Sequence, residues 1–302
     1  MIFDIKQAES MEEIQGEIFS FNGVEALSDF PSMLFLLEVL ALLYLAKKLY
    51  GLFGGFDLEH QLVKADNKAV TIAFVGHLAG VALVLEGVLE SPTEGLIPSM
   101  VSLLVWGIVG IVLLNIAQKI NDTLILKNID NKREKIEFSN IAVGVAEAGG
   151  NLGSALIVRS VITGESLGLS LDVGVTIFYF ILGQLGFIIF GYLYQMITGY
   201  DFLREIKENN VAAGISFGMS LAALGFLIAV PLHHSYSLVL FGAWYVVGAA
   251  VLAFFRFAMD RIIIPSEKLD SEIHEDQNWG VALLEGSFAL MAVLFLKVLF
   301  LP

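Results

Sequence analysis

Eight apolar runs, each about as long as a membrane is thick, dominate this chain. They lie at 31–50, 68–89, 97–118, 141–162, 173–197, 211–231, 237–258 and 279–300. A helix of roughly 20 apolar residues crosses about 30 Å of hydrocarbon. Hydrophobic residues make up 57% of the chain and charged residues 16%, against about 25% charged in soluble proteins. The sequence therefore predicts an all-α polytopic membrane protein with eight transmembrane helices.

An asparagine separates a charged segment from an apolar run four times along the chain. These asparagines are Asn67, Asn140, Asn210 and Asn278. The second and fourth copies align without a gap when Asn140 is placed on Asn278. A fixed period, here of about 70 residues, indicates a repeat architecture. We expect four parallel two-helix repeats in two tandem four-helix halves, 31–163 and 164–302.

The basic residues indicate an orientation in the membrane. Of the 17 lysines and arginines, 14 lie in the connections inside the repeats. Cytoplasmic loops carry an excess of such residues. We therefore expect these connections in the cytoplasm and both termini outside it, including an acidic tail at 1–30 that shows no cleavable signal pattern.

Two glutamates occupy equivalent places at membrane depth. Glu147 and Glu285 each lie seven residues after the repeat asparagine, where the other two copies have phenylalanine. At about 1.5 Å per residue this is roughly 10 Å into the bilayer, where a carboxylate costs about 3 kcal/mol. We interpret them as an ion-binding or proton-accepting pair on a pseudo-twofold axis. Two alternatives stay open: neutral acids that fix helix packing, and misplaced helix limits.

Two weaker polar groups and the four asparagines complete the candidate site. Glu38 and Gln184 lie at roughly corresponding places of the first and fifth helices, which indicates a second polar level. The asparagines suit N-caps, whose side chains accept from the first free amides of a helix. The other interpretation is that they surround a cytoplasmic entrance at the positive ends of four helices.

Glycines recur four residues apart in the even-numbered helices. The pairs are Gly76 and Gly80, Gly149 and Gly153, and Gly214 and Gly218. Small residues at this spacing let helix backbones approach closely in lipid. We expect the even-numbered helices to form the inner bundle.

Several function classes are disfavoured. The net charge of −14 opposes nucleic-acid binding, which needs clustered cations. The chain has no cysteine, and no phosphate loop, nucleophile elbow, dinucleotide fingerprint or metalloprotease pattern is present, so we expect no enzyme, cofactor or metal. His77 suits a buried structural histidine, and the adjacent His233 and His234 suit metal chelation poorly. The segment KNIDNKREKIEFS at 127–139 is expected to be a solvated cytoplasmic helix.

The repeated asparagine entry, the run GVAEAGGNLG at 144–153 and the doubled helix units together resemble a known family. The chain is similar to the domain-of-unknown-function 350 family of bacterial inner-membrane proteins. The resemblance implies a location in the bacterial inner membrane and supplies no substrate.

The sequence thus predicts an integral membrane channel or transporter for a small cation or protons, with Glu147 and Glu285 as the site. The alternative is a non-transporting membrane scaffold whose charged cytoplasmic connections bind a partner protein. Besides the lipid bilayer and the ion, the expected partners are this cytoplasmic protein and a second copy of the chain. Asn115, Asn151 and Arg159 are further candidates for a polar path.

Overall fold

A computed structural model describes residues 30–91, 95–164 and 166–300. The acidic tail expected at 1–30 lies outside the described residues, except for Phe30. Eleven α-helices are present in the described ranges: α1 (Phe30–Gly54), α2 (Lys68–Glu90), α3 (Leu96–Ile120), α4 (Asn131–Ile136), α5 (Ile141–Ile162), α6 (Leu169–Ile197), α7 (Phe202–Lys207), α8 (Val211–Ala229), α9 (Leu238–Ala258), α10 (Leu269–His274) and α11 (Trp279–Phe300).

Short helical turns extend several of these helices. π-Helical turns span His60–Lys64, Asn121–Ile125 and Met259–Ile263, and a 3₁₀ turn spans Val230–His233. No strand occurs in the three described ranges, so the all-α prediction is confirmed there.

Seven described helical segments are long and apolar enough to cross a membrane. They are Lys68–Glu90, Leu96–Ile125, Ile141–Ile162, Leu169–Ile197, Val211–His233, Leu238–Ile263 and Trp279–Val298. The protein is therefore a multi-pass helical membrane protein. Helix α1 is of similar length but carries Glu38, Lys47 and Lys48, and its role as an eighth span stays a prediction.

The chain divides into two units after Ala41. The described part of the first unit is the beginning of α1, which contains Glu38 at a half-buried position. The second unit begins at Leu42 and contains every other element. The packing described below lies within this second unit.

Four membrane helices, α2, α5, α8 and α11, form a row. Helix α2 packs on α5, α5 on α8, and α8 on α11. The outer helices α3, α6 and α9 each pack against two successive members of this row. The centre of the row is the most enclosed part, since 72% of the α5 span and 83% of the α8 span are buried.

Glycines lie where the helices of the row meet. A Cβ atom at Gly149 would collide with the backbone of Gly218, and one at Gly153 would lie 2.7 Å from the Leu221 carbonyl oxygen. Gly76 and Gly80 face α5 in the same way, and Gly214 lies against Ala142. Because glycine has no side chain, the helix backbones come into close contact at these positions. In lipid, where burial of apolar surface does not drive helices together, such contacts stabilise their association.

Helix α11, the last of the row, lacks the surface of small residues that α5 presents to α8. In the gapless alignment of the two halves, Gly149 and Gly153 of α5 correspond to Ser287 and Met291 of α11. Met291 is 50% exposed. The side of α11 that corresponds to the α8-facing side of α5 thus carries larger residues, which suit contact with lipid chains.

Candidate functional site

All four repeat asparagines cap an inner helix. Each side-chain oxygen accepts a hydrogen bond from the backbone N–H three residues later, at 3.1 to 3.2 Å. The residue before each asparagine has a positive φ, between 47° and 63°. This left-handed residue reverses the chain at the end of the connection, so that the cap and the first helical turn follow at once.

The amide groups of three asparagines also join successive repeats. The Nδ2 atom of Asn67 donates to the Lys135 carbonyl at 2.7 Å, that of Asn140 to Ile206 at 2.9 Å, and that of Asn210 to Ile273 at 2.7 Å. Each acceptor lies in the connection of the following repeat. The side chains of Asn67, Asn140 and Asn210 therefore hold neighbouring connections in register.

The first ion cluster consists of Asp122, Lys135 and Glu147. The Lys135 Nζ atom lies 2.5 Å from Glu147 Oε2 and 3.9 Å from Asp122 Oδ1. The side chains of Lys135 and Glu147 are 3% and 0% exposed. The carboxylates of Asp122 and Glu147 therefore share one ammonium group.

Lys135 reaches this cluster from the connection helix α4. The sequence had suggested that segment 127–139 is solvated, and for Lys135 this is wrong. Burial disfavours the charged ammonium, but the carboxylates of Glu147 and Asp122 outweigh it and raise the pKa of Lys135 above its usual range. Lys135 is therefore a permanent cation at neutral pH.

The second ion cluster consists of Arg256, Asp270 and Glu285. Arg256 donates to Glu285 Oε1 through Nη1 and to Asp270 Oδ1 through Nη2, the latter at 2.6 Å. The other Glu285 oxygen accepts a hydrogen bond from Ser216. Both oxygens of Glu285 are thus engaged, and Ser216 in turn pairs with the Tyr194 hydroxyl at 2.6 Å.

Glu147 and Glu285 pair with different cations and belong to separate clusters. The cations also come from non-equivalent positions, because the alignment of the halves places Arg256 on Gln118 and Lys135 on Ile273. Sequence reasoning missed both cations, although this exchange of charged and neutral residues between the halves was visible in the alignment.

The first half contains further buried polar atoms without hydrogen-bond partners among the described residues. The side-chain oxygens are Glu38 Oε2, Tyr50 Oη, Asn115 Oδ1, Gln118 Oε1, Asn121 Oδ1, Asn131 Oδ1, Glu147 Oε1 and Asn151 Oδ1. The amide nitrogens of Asn121 and Asn151 and both ring nitrogens of His77 are unpaired too. Buried polar groups of this kind are rare and call for a bound water or ion.

A small cavity of about 50 Å³ reaches this region. Among its lining residues are Asn115, Gln118, Asp122 and Lys135. The exposed Lys132 lines it as well, so the cavity connects the surface at the connections with the first ion cluster.

The other predicted polar residues lie apart from the ion clusters. Gln184 donates to the Ser154 hydroxyl at 2.9 Å. Arg159 forms ion pairs with Glu86 and Glu90 at 2.5 and 2.6 Å, near the opposite ends of the helices.

A wider pocket of about 440 Å³ lies at that opposite end. His233, His234 and Asp172 line it, and the Nδ1 atom of His233 lies 2.9 Å from the Thr163 hydroxyl. Within the described ranges, no three His, Cys, Asp or Glu residues are grouped as metal ligands.

Comparison with known proteins identifies a family. The model of the family Domain of Unknown Function (DUF350) matches the chain twice, at residues 25–162 and 168–299. No match was found among curated proteins or solved structures. The two matches confirm the resemblance and the duplication inferred from the sequence. This chain, with its two tandem copies, belongs to the DUF350 family.

Proposed function

We propose that the protein transports a proton or a small cation through its first half, with Glu147 as the acceptor. The observation that carries this proposal is the asymmetry of the two ion clusters. Glu147 has one oxygen without a protein partner among the described residues, and a cavity reaches Asp122 and Lys135 of the same cluster. Glu285 has both oxygens engaged by Arg256 and Ser216.

A polar stripe continues from Glu147 along α5. Glu147, Asn151 and Ser154 follow each other at spacings of four and three residues, which places them on one helix face. All three are at most 1% exposed. Charged and polar residues inside a membrane mark ion pathways by default, and this stripe supports a path that begins at the first ion cluster.

The equivalent face of α11 is apolar. Asn151 corresponds to Ala289 and Ser154 to Ala292. The second ion cluster therefore has no polar continuation at these positions, and we assign Glu285 a structural role. This revises the sequence-based expectation of two equivalent glutamates on a twofold axis.

Flux measurements in proteoliposomes test the proposal. Glu147→Gln and Glu285→Gln are matched variants, because Lys135 keeps Asp122 and Arg256 keeps Asp270 as a partner. We expect Glu147→Gln to reduce proton or cation flux at least tenfold and Glu285→Gln to retain it. Wild-type flux in both variants, or no flux above empty liposomes in the wild type, would overturn the proposal.

The alternative, a non-transporting scaffold, is favoured by a different observation. The asparagine amides fix the connections α4, α7 and α10 to the preceding repeats. The exposed pairs Arg133–Glu137 and Arg204–Glu208 give α4 and α7 charged outer faces. A scaffold of this kind predicts no flux in the wild type and lower stability, without other consequence, for Glu147→Gln.

The remaining assignments complete the proposal. We place the protein in the bacterial inner membrane, with α1 as the eighth span and the four charged connections inside the repeats in the cytoplasm, supported by the 14 basic residues there. We propose that the protein has no enzymatic activity. A cytoplasmic protein partner and a second copy of the chain stay predictions.

A further inference from the structure

Five buried side-chain oxygens without partners among the described residues lie on two helical segments that pack together. Asn115, Gln118 and Asn121 follow each other at intervals of three residues on α3 and the π-helical turn after it. Glu147 and Asn151 are one turn apart on α5. All five residues are at most 4% exposed. The two segments thus bring buried polar side chains with unpaired oxygens onto adjoining helix faces, and the amide nitrogens of Asn121 and Asn151 are unpaired as well.

Gly150 allows the two segments to approach at this level. A Cβ atom at Gly150 would lie 2.6 Å from the Asn121 amide nitrogen. The side chain of Asn121 therefore fills the space that a side chain at position 150 would need. Position 150 directly precedes Asn151 in the chain. This close approach makes Asn121 part of the same buried group as the α5 stripe.

The charges of the first ion cluster do not balance. Asp122 and Glu147 are two carboxylates within 4 Å of the Lys135 Nζ atom, and Lys135 supplies one positive charge. The formal charge with all three ionised is 2 × (−1) + 1 = −1. One monovalent cation neutralises it, whereas a divalent ion would leave a net positive charge in the membrane.

We propose that these carboxylate and amide oxygens form a binding site for a monovalent metal cation of the sodium or potassium class. The inference rests on the proposed function and names its cargo. A bound proton needs a single acceptor oxygen and would leave the four amide oxygens without a partner. A metal cation uses them, because carbonyl-type oxygens replace the hydration shell of such an ion.

The residues at the equivalent positions of the second half support this assignment. In the alignment of the halves, Asn115, Asn121 and Asn151 correspond to Ala253, Met259 and Ala289. Gln118 corresponds to Arg256, whose guanidinium pairs with Glu285. Each half thus has one side-chain cation beside two carboxylates, but among the described residues only the first half has unpaired amide oxygens near its cluster.

Direct binding to the purified full-length protein tests the proposal. Radioactive sodium, and radioactive rubidium as a potassium analogue, are measured against excess unlabelled NaCl, KCl, MgCl₂ and choline chloride at constant ionic strength. We expect saturable binding that NaCl or KCl displaces and that MgCl₂ and choline chloride do not. The same salts should raise the melting temperature of the wild type above its value in choline chloride.

Variants that copy the second half give the matched comparison. Asn121→Met and Asn151→Ala should weaken cation binding at least tenfold. Thr176→Val, which also removes a buried hydroxyl but on α6, should leave binding unchanged. The wild-type measurement decides the proposal even where a variant fails to fold.

Three outcomes separate the failure of this inference from that of the proposed function. Proton flux that needs Glu147, without binding of sodium or rubidium, would overturn the metal site and keep the transport proposal. Displacement by MgCl₂ would overturn the monovalent assignment. Absence of both flux and binding would overturn both proposals.

Discussion

Lys135 and Glu147 form a buried ion pair between a connection helix and a membrane helix, with the Nζ and Oε2 atoms 2.5 Å apart. Since Asn67 also binds the Lys135 carbonyl, this one residue connects the first repeat, the connection α4 and the inner helix α5. The pair is both a structural joint and part of the proposed ion site.

Removing the cation should destabilise the protein strongly. Lys135→Met leaves two buried carboxylates without their partner, and loss of one member of a buried pair costs about 3–5 kcal/mol. Thermal unfolding in detergent checks this, with the exposed Lys132→Met as the control. The double variant Lys135→Met/Glu147→Leu should recover much of the loss, and failure to recover would argue against a direct pair.

The contribution of Lys135 should not depend on pH in the neutral range. Burial lowers its folded-state pKa, but Glu147 and Asp122 raise this pKa by more, so that the net shift is upward. Stability from a raised pKa is fully present below the unfolded-state value of about 10.4 and is lost as pH rises through the folded-state value. The stability difference between the wild type and the double variant Lys135→Met/Glu147→Leu, which lacks the unpaired Glu147 carboxylate, should therefore show no loss from this ammonium group between about pH 7 and about pH 10. A steady decline across that range would contradict the assignment.

The arrangement of the first half should be transferable to the second. Arg256→Gln alone leaves Glu285 without its cation and should destabilise the protein. Adding Ile273→Lys restores a lysine at the position equivalent to Lys135. We expect the double variant to be more stable than Arg256→Gln, as measured by thermal unfolding. Equal stability of the two variants would show that the halves are not equivalent at this level.

Close packing at the centre of the row should make Gly149 intolerant of a methyl group. The added Cβ would meet the backbone of Gly218, and such overpacking costs about 1–3 kcal/mol. Gly191→Ala on α6 is the matched control, because no neighbouring atom lies within 4 Å of its Cβ position. The control should be neutral or slightly stabilising, and a similar loss in both variants would contradict the packing argument.

The repeat asparagines should differ in their contribution to stability. Asn140→Ala removes a helix cap, worth about 1 kcal/mol, and two hydrogen bonds to the α7 connection. Asn278→Ala removes a cap and a hydrogen bond to Glu272 within its own repeat. We expect the larger loss for Asn140→Ala in unfolding experiments. The reverse order would refute the assigned joining role.

The sequence was sufficient to predict seven long apolar helices and the tandem duplication, because both follow from hydrophobic length and from a fixed period. It was insufficient for the site, because ionisable residues become buried only when connections dock onto membrane helices. Lys135 lies in a highly charged segment that is typical of a solvated helix, yet docking buries it. Arg256 lies near the end of an apolar run, where an arginine ordinarily reaches the membrane surface.

The asparagines have one role that local sequence predicts and one that it does not. Their capping role follows from local sequence, since the acceptor and donor are three residues apart. Their second role depends on residues 63 to 68 positions away. No local pattern contains that information.

The larger residues at Ser287 and Met291 have a consequence for the ancestry of the chain. Two rounds of duplication explain four units, and each round needed a helix surface that could accept a neighbour. A third round would now place Met291 where Gly153 admits a backbone. Close backbone packing of the kind that joins α5 to α8 is therefore closed to this side of α11.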